Sequence, residues 1–144
     1  MILTLKVECV YGMYLKEECI RVIEIRDRAS LCDLHDAIQD AVAFDQDHMF
    51  GFFTANSASP YANRHWLTDE EAWDDVVDDY QSIRLADIWP LGPKKLYYLF
   101  DFGDSWTFEI RKSRRVREPE KGVSYPRVVE AVGPDPEQYP YWEE

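Results

Sequence analysis

Two short acidic segments hold the side chains of this chain best suited to chemistry. Asp45, Asp47 and His48 set two carboxylates and an imidazole almost side by side, a donor set that divalent cations accept. Asp101 and Asp104 bracket Phe102-Gly103, where carboxylates on one turn can act as a metal pair or as acid and base. The ordinary role of aspartate at such places is to cap turn amides through its own side chain, and that structural reading leads at both segments. Two familiar motifs are excluded by spacing. An EF-hand would need a ligand at Met49 and a glycine at Phe50. Asp101-Phe102-Gly103 spells the kinase magnesium triplet, but the glycine loop, paired lysine and catalytic-loop pattern are missing.

The remaining histidines and the thiols are weaker candidates. His35 lies beside the apolar stripe of a predicted helix and reads as a boundary residue with a hydrogen bond. His65 and Trp66 fall in a loop and could line a pocket. Cys9, Cys19 and Cys32 are odd in number and form no Cys-x-x-Cys pair. They are read as reduced, mostly buried thiols rather than a disulfide framework or a zinc site.

The elements that must position these groups follow from periodicity. Leu3, Leu5, Val7 and Cys9 alternate with polar residues, giving a strand with one buried face. Residues 19–26 supply a second strand, and the short link between them predicts an antiparallel pair. Ser30 caps a helix over about 31–43 whose stripe is Leu31, Leu34, Ile38 and Val42. Residues 48–53 form a third strand and 55–67 a loop. Thr68 with Glu71 is a capping box for a second helix with Trp73, Val77 and Tyr80 inward and seven acids outward. A hairpin follows from about 95 to 115, with Trp106, Phe108 and Ile110 inward and Asp101 and Asp104 shaping its tip. Five of the eight prolines lie from Pro119 onward, so residues 118–144 read as an extended Pro-rich tail covering a single domain of 1–144. The predicted class is α+β: a mainly antiparallel sheet, a helix packed across one face, and a β-grasp-like strand-strand-helix-strand start.

Composition limits the partners. The chain has 144 residues and a net charge of −12, which repels phosphate backbones and argues against nucleic acid and anionic membranes. Against that background Arg111, Lys112, Arg114, Arg115 and Arg117 form a basic cluster. No apolar run approaches the ~20 residues of a membrane span, and the charged, alternating N-terminus is unlike a signal peptide. A cytoplasmic location is expected.

The pattern Tyr98-x-x-Asp101-Phe102-Gly103-Asp104-x-Trp106, with Ile110 downstream, resembles the signature of the plasmid pRiA4b open-reading-frame-3-like family. Residues 30–39, 44–50, 85–88 and 122–127 resemble further family segments in the same order, so the likeness spans nearly the whole chain. The family includes passenger proteins of insertion elements and implies no established biochemical activity. Relatives commonly carry histidines where this chain has Phe50 and Phe108, and a Cys-containing ending where it has 128–137. The resemblance therefore implies that any histidine-based metal site of relatives is largely lost here.

The leading expectation is a non-enzymatic binding or accessory module associated with plasmids or mobile elements. Its partner is a protein, engaged by the hairpin tip, the Asp45–His48 loop and the aromatic residues Trp66, Tyr139, Tyr141 and Trp142. No cofactor or metal is assigned under this reading. The rival is a divalent-metal-dependent hydrolase-like enzyme in which Asp45, Asp47, His48, Asp101 and Asp104 converge. A third reading is a DNA-binding accessory protein acting through 111–117.

Overall fold

A computed structural model describes residues 1–12, 15–44, 50–59, 61–67, 81–100 and 105–136. Strand β1 (Ile2–Tyr11) buries Leu3, Leu5, Val7 and Cys9 on one face, as its alternation requires. It pairs antiparallel with β2 (Ile20–Arg26), from Ile2↔Arg26 to Glu8↔Ile20. Helix α1 (Leu31–Val42) follows, then β3 (Phe50–Ala55), the short β4 (His65–Trp66) and a 3₁₀ turn at Leu85–Asp87. Strands β5 (Lys95–Phe100), β6 (Trp106–Arg117) and β7 (Arg127–Val132) complete one seven-stranded sheet, ordered β4-β3-β5-β6-β1-β2-β7.

The helix forms because its stripe and its start agree. Leu31, Leu34, Ile38 and Val42 are buried in the same core as Leu5, Ile23, Tyr98 and Phe108. Ser30 Oγ accepts from the Asp33 amide at 3.1 Å, while Asp33 Oδ2 accepts from the Ser30 amide at 2.9 Å. This reciprocal pair satisfies two amides the helix start would otherwise leave open. Ser30→Ala should cost about 1 kcal/mol in urea unfolding; an unchanged midpoint would remove the cap from the account.

The last turn of α1 is closed from the sheet. Arg21 is only 4% exposed, and its Nε donates to Ala41 O at 3.1 Å. Its Nη1 donates to Val132 O at 3.1 Å, and its Nη2 meets Asp135 Oδ1 at 2.8 Å. One guanidinium thus joins the carboxyl end of α1, strand β2 and the chain just past β7, a placement the helix dipole favours for a cation. On the opposite face, the buried Glu24 accepts from Arg127 Nε at 2.6 Å and pairs with Arg117.

The α+β expectation with a β-grasp-like start is overturned. A β-grasp start would return β3 through α1 to lie beside β1, yet β5 and β6 stand between them and every strand pairing is antiparallel. Among the described residues the sheet dominates and α1 is the one complete α-helix, so the chain is mostly β. Part of the reason lies where the sequence reading expected non-strand structure. Within the segment read as tail, Arg127–Val132 pairs with β2 as the edge strand β7. Within the segment read as loop, His65–Trp66 pairs with Thr54–Phe53. The expected second helix, over residues 69–80, lies outside the described residues.

Candidate functional site

Four described residues that flank the two acidic clusters in sequence lie close together. Phe50 is the register partner of Phe100, and Phe100 that of Trp106. The Phe44 ring centroid lies 6.0 Å from that of Phe100 and 5.1 Å from that of Trp106. Asp45, Asp47, His48, Asp101 and Asp104 themselves lie outside the described residues, as do Tyr139, Tyr141 and Trp142. Trp66 is half-buried and packs against Phe53 at 5.1 Å, in a second apolar cluster on the far face of the sheet with Tyr97 and Leu99. The fold already uses much of its surface.

Next to Phe50 and Phe100 lies a buried polar group. His35 Nδ1 is 2.5 Å from Tyr98 Oη, which also accepts from Gln39 Nε2 at 2.9 Å. Burial raises the Tyr98 hydroxyl well above its ordinary pKa, so it keeps its proton and donates to Nδ1. Burial likewise pushes the His35 pKa down to about 4, leaving a neutral imidazole with its proton on Nε2, 4.0 Å from Asp36. Phe50 stacks on this ring at 3.7 Å and 9°. Phe108 is fully buried in the core. With its ring boxed in by Phe50, Tyr98 and Phe100, His35 is a core residue with a satisfied hydrogen bond. Cys9 and Cys19 are also buried free thiols, and burial pushes Cys9 up to about 12. Neither suits nucleophilic chemistry. Among the described residues, no group of three or more His, Cys, Asp or Glu side chains could hold a metal ion.

The feature best arranged for recognition is a groove of about 760 Å³ beside β6. One wall is β6 from Ile110 to Val116, and the other is the segment from Leu85 through Trp89 and Leu91 to Lys94. Lys94, Lys95, Arg111, Lys112 and Arg114 line it, against a single acid, Asp27. Asp27 Oδ1 is itself 3.3 Å from the N-terminal ammonium. Buried Glu109 engages Arg111 at 2.5 Å and stands 3.9 Å from Lys95, fixing two of the cations. The bond that Arg111 donates to Glu109 also raises the Arg111 pKa. Lys94 and Arg114 make no ion pair with any described residue. Trp89 and Leu91 add half-buried apolar surface.

The basic cluster seen in the sequence therefore divides. Arg117 is committed to Glu24 and Arg111 to Glu109, while Lys112 and Arg114 face the groove. Sequence reading missed Lys94, Lys95 and Trp89 as parts of this site. The signal was the hairpin itself: Leu96↔Ile110 pairing puts Lys95 level with Arg111, so the two basic runs meet across neighbouring strands.

A mostly-β chain built on one antiparallel sheet, with a basic groove along its longest strand, is the class these features define. Its fold is similar to that in the crystal structure of a protein of unknown function, MM3350, from Methanosarcina mazei Go1, with a TM-score of 0.67 over 90% of this chain and 68% of that one, at 22% identity. The sequence matches the family model described as plasmid pRiA4b ORF-3-like protein over residues 2–138, and the chain belongs to that family. It is also 30% identical over 103 residues to the uncharacterized protein y4hQ of Sinorhizobium fredii, covering 72% of this chain and 49% of that relative. The chain thus spans about half the length of y4hQ. No helix among the described residues is long and apolar enough to cross a membrane.

Proposed function

We propose that this chain is a small non-enzymatic binding module, an accessory protein of plasmid or mobile-element origin, that engages an anionic partner through the groove beside β6. The observation that carries this reading is the charge contrast. A chain with net charge −12 gathers five cations around one groove and leaves Lys94 and Arg114 without an ion pair among the described residues. Such local concentration favours an oppositely charged ligand. Polyglutamate offered to the immobilised protein at low salt should be retained. The double variant Lys112→Glu with Arg114→Glu should weaken retention by at least about tenfold, and raising the salt should do the same for the unaltered chain. Retention equal in both proteins would contradict the reading.

The rival metal-dependent hydrolase draws on one observation, the closeness of Phe44, Phe50, Phe100 and Trp106, which adjoin the two acidic segments. It requires Asp45 or Asp47 to share a cation with Asp101 or Asp104. Manganese-dependent turnover of a phosphodiester, lost in both Asp47→Asn and Asp104→Asn, would establish it over the binding module.

A further inference from the structure

We infer that the groove takes an extended, acidic segment of a partner protein, added as a strand along the open edge of β6. This deepens the binding reading above and rests on it. The sheet register carries the inference. Strand β5 accompanies β6 from Phe100↔Trp106 to Leu96↔Ile110 and goes no further. Strand β6 continues to Arg117, still paired on its other side with β1 through Lys6↔Arg111, Leu5↔Lys112 and Leu3↔Val116. Past Lys95, which stands level with Arg111, no described strand pairs with that edge of β6, while β1 holds the other; the groove lies beside this stretch and reaches Leu3 of β1. Its opposite wall is formed by Trp89, Leu91 and Lys94. An edge of this kind offers main-chain groups to an incoming strand.

The charges select the occupant. Arg111, Lys112 and Arg114 lie along the open edge, and Lys94 and Lys95 stand beside it. These cations repel a second copy of the same edge, yet they match a segment bearing carboxylates at alternate positions. The irregular register between Leu3 and Leu5 falls opposite Ser113 to Arg115, where Lys112 Nζ donates to Ser113 O and the Arg115 amide to Ser113 Oγ, each at 3.2 Å. The added strand therefore follows a bulged edge from Lys112 to Val116, with its carboxylates in reach of Arg111, Lys112 and Arg114. A nucleic acid would meet the same cations, but its backbone extends into the field of a strongly acidic chain and makes no use of peptide groups at a strand edge.

The full chain is titrated with a fluorescent peptide of alternating glutamate and valine, and with the same peptide N-methylated at alternate residues in either register. Strand addition predicts binding of the plain peptide and an affinity at least about tenfold lower for one N-methylated register or both. Amide exchange between Lys112 and Val116 should slow when the plain peptide is bound. Equal affinity for all three peptides, lost in the Lys112→Glu, Arg114→Glu variant, would overturn strand addition while leaving the groove as a binding site. No binding of any peptide would overturn the groove reading as well. Tighter binding of a short oligothymidylate, competing with the peptide, would replace the protein partner with a nucleic acid.

Discussion

Trp106→Ala is expected to destabilise the fold by about 4 kcal/mol, the range for removing a fully buried large aromatic. Its indole is wholly buried at the start of β6 and meets Phe44 edge-on at 5.1 Å. Gly12 leaves room for it: any Cβ at that position would overlap the indole ring, so the cavity left by alanine is bordered by backbone and cannot readily close. Trp106→Phe should cost far less. It removes an Nε1–H that finds no acceptor among the described residues, and a buried unpaired donor is itself destabilising. Urea unfolding followed by circular dichroism separates the two variants. A loss below about 1.5 kcal/mol for alanine would contradict the packing described.

The second large effect is a dependence on pH set by His35. Unfolded, its imidazole takes a proton near its ordinary pKa of 6.5; folded, burial holds that pKa at about 4. Between those values the unfolded chain binds the extra proton, so stability is full above 6.5 and falls as the pH drops toward 4. The loss amounts to about 3 kcal/mol from this residue. His35→Leu should flatten that part of the curve, because it removes the titrating group while Gln39 still donates to Tyr98. Equal slopes in the two proteins between pH 6.5 and 4 would show that His35 protonates freely in the fold. Direct titration by NMR should find no protonation of His35 above about pH 5 in the folded state.

Some of this architecture was legible in the sequence and some was not. The α1 stripe and its Ser30 cap could be read because helix periodicity and capping are local. The inward row of Trp106, Phe108 and Ile110 follows from alternation alone. The mostly-β character was harder to see. Strand β7 is an exposed edge set among prolines, with Val128 and Val129 nearly half exposed, so no buried alternation announces it. The order of the strands is also non-local: β1 finds its second partner in β6, about a hundred residues later, and no periodic signal encodes that choice.

The site shows the same division. The basic cluster at 111–117 was visible as composition, but its split between Glu109, Glu24 and the groove depends on side chains brought together by the sheet. Lys95 looked like the mere start of a hairpin until the register set it beside Arg111. Trp66 read as a candidate contact surface because aromatic residues in loops often bind, but here it packs on Phe53.

The most direct test of the groove is a backbone amide NMR titration of the full chain with the plain glutamate-valine peptide. Shift changes are expected to concentrate at Trp89, Leu91, Lys94, Lys95 and the stretch from Arg111 to Val116, with α1 and β7 unmoved. Shifts centred instead on residues 45–50 and 100–106, or spread evenly over the sheet, would contradict the groove reading.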